Sequence, residues 1–377
     1  VSFSVCLGTS NTLRYPQGGH LWVFINWALG FRAAGAERII WLDVIDPARS
    51  PDQTLASLEL LRERIAAFGL AETIALIRPD GSPVGFDTGT LGVEEASGAQ
   101  LLFDLRYDLP ESLVRRFRRS ALLDIDPGLL QFAMQKGHMN PAAHDVYFTI
   151  GQSVGTLGSR FPSLGLDWIH VPPCVSLEHW PMIPPPAAGQ GAYTTVSHWY
   201  MNEWMADEDG TVYKNDKRSA FLPYVQLPQR VEAKLELAIH LAGDSVERAM
   251  LESHGWQVRE AHEAAGSPLD FQRYVQSSRG EFGCAKPAYV KLKTGWISDR
   301  TICYLACGRP AIIQDTGPIG YFEGGQGVLR FSTFEQAIEC VQAVERDYAA
   351  HCAAARALAE EYFDARKVAA RVLDRCI

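Results

Sequence analysis

In the first half of the chain, short apolar runs alternate with segments whose apolar positions recur at helical spacing. "VSFSVCLG", "RIIWLDVI" and "TIALIR" read as strands, while the stretch from Gly19 to Ala34 and "DQTLASLELLRERIAAFG" read as amphipathic helices. Strands "AQLLFDLRY", "SALLDID" and "DVYFTIG" continue the series, with helices between them. Such alternation predicts βαβ units and an α/β fold, a parallel sheet covered by helices on both faces.

Near residues 165 to 190 the pattern breaks. "DWIHVPPCVSLEHWPMIPPPAAGQGA" is rich in Pro and Gly, which suits neither a helix nor a central strand and marks an interdomain linker. Alternation then restarts with strand "AYTTVSHW", helices "RVEAKLELAIHLA" and "VERAMLESHG", strand "WQVREA" and helix "PLDFQRYVQSS". "GWISDRTICYLACGRPAIIQDTG" reads as a helix stopped by Gly-x-Pro and running into a buried strand; strand "GVLRFS" and helices from Phe334 onward close the chain. The expected domains are 1–170, a linker at 171–190, a second domain at 191–355, and a closing segment at 356–377 that returns to the first. Neither a solenoid repeat nor a low-complexity segment is present.

A length of 377 residues, 47% of them hydrophobic and 21% charged, is globular composition and more than one ordinary core holds. This supports two domains. The net charge of -9 argues against nonspecific binding to nucleic acid or to an anionic membrane, both of which need a basic surface. It leaves room for a local basic pocket. No apolar run approaches the roughly 18 to 20 residues of a membrane span, and "VSFSVCLGTS" lacks the basic region of a signal peptide, so a cytoplasmic protein is expected. Eight scattered cysteines, with only Cys303 and Cys307 at i,i+4 spacing and no His beside them, suggest packed thiols rather than a metal site.

Three stretches carry candidate chemistry. In "YPQGGHLW", Gly18, Gly19 and His20 fall between the first strand and the first helix, where glycines let a ligand approach the amides, or simply make a tight turn. In "YKNDKRSAF", Lys217 and Arg218 precede an apolar segment; one of them suits a phosphate, or both are solvated. "SSRGEFGCAKPAYVKLKTGW" crowds Arg279, Glu281, Lys286, Tyr289, Lys291, Lys293 and Trp296 into a segment that reads as a loop between helices.

Beside that segment, Ser298 caps a helix and Asp299 suits its positive end, but Arg300 stands on the wrong side of the helix dipole unless it meets an anion. Either a bound phosphate meets it, or Arg300 pairs with Asp299 or Glu281. No G-x-G-x-x-G follows a strand, and P-loop, H-E-x-x-H and G-x-S-x-G motifs are missing, which removes the main support for dinucleotide enzymes, P-loop NTPases, zincins and α/β-hydrolases. Acid–base candidates at first-half strand ends are His20, Asp104, Asp108, Asp124, Asp126 and Asp145.

"QGGHLWVFINWALGFRAAGAERIIWLD" and "LACGRPAIIQDTGPIGYFEGGQGVLRFSTFEQAIECV" resemble the GT-B glycosyltransferases, whose two Rossmann-like domains face a cleft. The resemblance spans nearly the whole chain in architecture, and its specific part is the second stretch. It implies a nucleoside-diphosphate sugar held mainly by the second domain and an acceptor held mainly by the first; the lack of a membrane-binding basic helix suggests a small-molecule acceptor, and no cofactor beyond that co-substrate and no metal is expected, since cationic side chains and helix N-termini can stabilise the leaving group. Carried onto this chain, it places Gly18 and Gly19 in the glycine loop, Lys217 at the basic diphosphate position, and Ser298 to Thr301 below the donor. Many retaining members have an E-x7-E pattern here, and this chain has Asp299 and Arg300 in place of the second glutamate.

Transfer requires stabilising the charge that grows on the leaving diphosphate, for which Lys217, Arg300 and Lys286 are the candidates. Glu281 joins the donor-binding set; Tyr289 or Trp296 is suited to stack on the base or cover the sugar. His20 and Asp104 are the candidate bases. A nucleotide-sugar epimerase of the same fold and a catalytically silent sugar-nucleotide-binding protein are the rival readings.

Overall fold

A computed structural model describes residues 3–141, 144–187, 189–201 and 210–377. The chain forms two compact units. One comprises Val1–Gly155, Pro162–Ser176 and Asp364–Ile377; the other comprises Thr156–Phe161 and Leu177–Phe363.

The first unit is built on a seven-stranded parallel sheet of order β3-β2-β1-β4-β5-β6-β7. Its strands are β1 (Ser4–Gly8), β2 (Arg38–Val44), β3 (Ile74–Ile77), β4 (Leu101–Asp104), β5 (Ser120–Asp124), β6 (Val146–Thr149) and β7 (Trp168–His170). The central strands are continuous apolar runs because helices cover both faces, and Val5, Cys6, Leu7, Leu102 and Phe103 expose nothing. The Gly18–Ala33 helix buries Trp22, Phe24, Trp27 and Phe31, with Trp27 and Phe31 each 4.9 Å from the Phe103 ring. Pro51–Ala66 starts in a full capping box, Ser50 accepting from Gln53 N and the Gln53 side chain from Ser50 N. The closing Ala365–Cys376 helix packs on the Gly18–Ala33 helix. There Gly30 is required, since a Cβ would stand 2.7 Å from the Ala365 carbonyl oxygen.

The second unit carries a six-stranded parallel sheet of order β10-β9-β8-β11-β12-β13. These are β8 (Tyr193–His198), β9 (Leu235–His240), β10 (Gln257–Glu260), β11 (Gly280–Gly283), β12 (Ala311–Gln314) and β13 (Val328–Phe331). Its core joins Tyr193, Leu237, Ile239, Phe282, Ile312 and Phe331, with Phe282 and Phe331 stacked at 5.2 Å.

Two expectations are corrected here. "RVEAKLELAIHLA" is not a helix; it contains β9, hydrogen-bonded on both sides by β8 and β10. Leu, Ala, Glu and Lys favour helix locally, but burial of Leu235, Leu237 and Ile239 in the sheet overrides that preference. The segment around "GEFG" is not a loop either: it is β11, between β8 and β12 in the middle of the sheet. Two glycines and a glutamate gave it no strand-like pattern. β7 lies within the Pro-rich stretch, as an edge strand.

Candidate anion-binding site in the second unit

β11 ends at Gly283, and the next residues, Cys284 to Lys286, lead into the Pro287–Leu292 helix. A turn through Lys293, at φ 54°, and Gly295 brings the chain to Ser298. Ser298 caps the Asp299–Ala306 helix, its Oγ accepting from Arg300 N at 3.2 Å. The helix is amphipathic, with Ile302, Tyr304 and Leu305 fully buried, so its first turn is fixed against the ends of β11 and β12. Gly283, Cys284, Trp296, Ser298, Arg300 and Gln314 line a small concavity there, about 20 Å³ in volume.

Arg300 reaches back onto the sheet. Its Nε donates to Glu281 Oε1 at 2.7 Å and its Nη1 to the Val196 carbonyl at 3.0 Å. Glu281 is wholly enclosed, and its second oxygen, Oε2, has no hydrogen-bond partner among the described residues. Of the two readings for Arg300, the structure therefore shows the pairing with Glu281, and it leaves the guanidinium in the wall of the concavity. Glu281 stands behind Arg300 and fixes its direction, so it is not itself a surface for a ligand.

Lys217 opens the Lys217–Phe221 helix, which Asp216 caps by accepting from Ser219 N at 2.6 Å. The lysine is 7% exposed and its Nζ donates to the Cys284 carbonyl. Burial, and after it the nearby Arg300 charge, push its pKa down to about 7. Arg218 points elsewhere and pairs with Glu247 at 2.7 Å.

Lys286 precedes the Pro287–Leu292 helix, its ammonium 5.3 Å from the Tyr289 ring centroid. Tyr289 is enclosed and packs on Trp296 at 4.6 Å, so it is a platform for the indole rather than a surface for a ligand. Trp296 lines the concavity, and its Nε1 has no partner among the described residues. Asn215 Oδ1, two residues before Lys217, is likewise buried without one. Thr301 lines the concavity from within the helix, and Asp299 is half-buried beside it.

Buried polar atoms without partners are costly, and among the described residues Trp296 Nε1 is one, in the wall of the depression, while Glu281 Oε2 lies on the partner of Arg300 and Asn215 Oδ1 two residues before Lys217. Arg300 lines it with its carboxylate partner already engaged; Lys217 bonds the carbonyl of Cys284, another lining residue, and Lys286 follows two residues after Cys284. With the first-turn amides of the Asp299–Ala306 helix, this arrangement suits an anion with several oxygens.

The remaining candidates belong to the first unit. Gly18 and Gly19 are not in a loop; they form the first turn of their helix, because Gln17 already ends the extended segment. His20, half-buried in the same turn, has Nε2 2.9 Å from the Ser10 carbonyl oxygen and its ring edge-on to Phe24 at 5.3 Å. Asp104 ends β4 and is fully enclosed, which removes it from direct contact with an acceptor. Its Oδ1 accepts from Arg106 N at 2.8 Å and its Oδ2 lies 3.2 Å from His144 Nε2. His144 Nδ1 in turn sits 2.9 Å from the Pro141 carbonyl oxygen.

Burial raises the Asp104 pKa; for His144 burial acts against the charge, and the hydrogen bond and charge of Asp104 outweigh it, so that pKa is raised too. Sequence reading missed His144, forty residues from its partner. Asp43, next to last on β2, and Asp124, at the end of β5, are enclosed in the same way. Asp43 takes Thr12 Oγ1 and Leu13 N at 2.7 Å and Arg106 Nη1 at 3.1 Å; Asp124 takes Gln131 Nε2 and Thr149 Oγ1 at 2.9 Å. These carboxylates hold the loops that follow their strands. Among the described residues, no three His, Cys, Asp or Glu side chains gather as metal ligands, and no helix is long and apolar enough to cross a membrane.

No protein-family model and no curated protein matches the sequence. Solved structures do. Anabaena HepE, in complex with UDP and glucose, is 11% identical, with a TM-score of 0.56 over 100% of this chain and 99% of that one. An alpha-glucosyltransferase in complex with UDP is 9% identical, with a TM-score of 0.59 over 99% of both chains. Sucrose-phosphate synthase from Thermosynechococcus elongatus is 12% identical, with a TM-score of 0.57 over 99% and 98%. The chain has the fold of these proteins, the GT-B fold of glycosyltransferases.

Proposed function

We propose that this chain is a glycosyltransferase that takes a sugar from a nucleoside-diphosphate donor held by the second unit and passes it to a hydroxyl of a small acceptor. The observation that carries the reading is the depression at the ends of β11 and β12, lined by Arg300 and the Ser298-capped helix, with Lys217 bonded to the carbonyl of Cys284 in its wall. The fold supports it, since solved proteins of this fold are described with UDP.

Negative charge grows on the diphosphate as the glycosidic bond breaks. Fixed cations and helix amides that need no rearrangement lower that barrier, and this reading routes no step through a metal. Arg300, held in place by Glu281, and Lys217, held by the Cys284 carbonyl, are the leaving-group ligands. Trp296 offers an indole face and a free N–H to the donor. On the first unit His20 is the candidate base, since Asp104 is enclosed.

The test is a panel of nucleoside-diphosphate sugars incubated with and without candidate acceptors, following nucleoside-diphosphate release. Acceptor-dependent release supports transfer. Isomerisation of the sugar without acceptor would make the chain an epimerase, and saturable binding with no product would make it a silent binder.

A further inference from the structure

We propose that the second unit binds its diphosphate ligand together with a proton, and that Lys217 is the group that takes it up; this deepens the donor reading above and rests on it. The geometry around the amine is the basis. Lys217 is 7% exposed, and among the described residues the acceptor for its three possible N–H donors is the Cys284 carbonyl.

The groups around it are unfavourable to a third cation. Arg300 comes from the Asp299–Ala306 helix and Lys286 from the turn before Pro287, both positive. Glu281 on β11 is the one carboxylate among them, and its Oε1 is held by Arg300 Nε at 2.7 Å. The Cys284 thiol is kept protonated by burial, so it supplies no negative charge. On its own helix, Asp216 is committed to the cap and Arg218 to Glu247. The amine is therefore neutral at the upper end of the physiological range, in keeping with a pKa pushed down to about 7.

A diphosphate changes the charge around the amine. It brings negative charge beside Arg300 and Lys286, supplies the missing acceptors, and makes the ammonium the favoured form. The proton comes from buffer: R–NH2 becomes R–NH3+ as the ligand docks, with no other bond made or broken. By linkage, a ligand that requires the protonated amine binds about tenfold more weakly for each pH unit above the free-state pKa, and with no such slope below it.

The experiment is calorimetry on the whole protein with a panel of nucleoside-diphosphate sugars, chosen because their bridging phosphates do not titrate near neutrality. Titrations run in two buffers of different ionisation enthalpy, HEPES and Tris, so that the difference in observed heat counts protons. With a free amine titrating at about 7, uptake of about 0.9 proton per site at about pH 8, and about 0.1 at about pH 6, is the expected result. Lys217→Gln abolishes the uptake; should it fail to fold by circular dichroism, Lys217→Arg, charged at every pH, does the same while retaining binding. Donor binding without proton uptake at about pH 8 overturns the inference and leaves the donor reading standing. Uptake that persists in a folded Lys217 variant overturns the assignment to Lys217. Binding by none of the panel overturns both.

Discussion

Glu281 Oε1 accepts a hydrogen bond from Arg300 Nε at 2.7 Å although Glu281 has no exposed surface at all. The pair joins the middle strand of the second sheet to the first turn of the helix that faces the candidate site, and it is both an aiming device and a stability element. Removing Arg300 strands an enclosed carboxylate that already has one unpartnered oxygen.

Arg300→Ala is accordingly expected to cost about 3–5 kcal/mol as well as abolishing donor binding. The double variant Glu281→Leu/Arg300→Met recovers most of the lost thermal midpoint without recovering binding. Thermal unfolding of the two variants decides the first half, and calorimetric titration with donor the second; an unchanged midpoint in Arg300→Ala would sink the argument.

Gly8, at the end of β1, sits beside Asp104, and a Cβ on it would stand 2.5 Å from Asp104 Oδ1. Gly8→Ala therefore forces the enclosed carboxylate off its partners. A loss of about 1–3 kcal/mol in urea denaturation is expected, largely relieved when Asp104→Ala is combined with it. Additive losses in the double variant would show that the clash lies elsewhere.

The Asp104 and His144 pair makes stability depend on pH in a definite direction. Both groups hold protons more tightly folded than unfolded, Asp104 because burial disfavours its charge and His144 because of its carboxylate partner. The folded state thus carries more protons: the His144 contribution is fully present below the unfolded His value of about 6.5 and is lost as pH rises through the higher folded one, while that of Asp104 is fully present only below the unfolded Asp value of about 3.9 and is lost through its own raised one. Denaturation of the wild type should weaken between mildly acidic and mildly alkaline pH by more than that of Asp104→Asn/His144→Gln. Parallel pH profiles would refute the coupling.

Arg309, within the Gly-Arg-Pro stop, is 1% exposed. Its guanidinium donates to the carbonyls of Gln276, Ile183 and Pro184, tying a helix end to the Pro-rich segment. Arg309→Ala leaves those acceptors enclosed and unbonded, at a cost of about 3 kcal/mol or more. Proteolysis near residue 183 is the sensitive readout: cleavage should accelerate in the variant, and an unaltered cleavage rate would mean the clasp holds nothing.

Much of the architecture was legible because buried parallel strands are runs of apolar residues and the covering helices are periodic, as in "RIIWLDVI" and "PLDFQRYVQSS". β9 and β11 were not. Their strand character comes from neighbours on both sides, and neither Leu-Glu-Leu-Ala nor Gly-Glu-Phe-Gly carries it locally. At the candidate site, the awkward Arg300 was visible from the dipole argument alone, but its partner on a strand nineteen residues earlier was one of two choices. The burial of Lys217 and the role of His144 depend on tertiary enclosure, for which no spacing rule exists.

The Ala365–Cys376 helix belongs to the first unit, yet the whole of the second unit is encoded ahead of it. Val368, Ala369 and Val372 expose nothing in the folded protein, and Gly30 is shaped to receive Ala365. During synthesis the first unit therefore waits, its Gly18–Ala33 helix uncovered on one flank, until residues 364–377 have been made. A ribosome-stalled chain ending before residue 364 presents that flank to chaperones, whereas the second unit has all of its own residues by then.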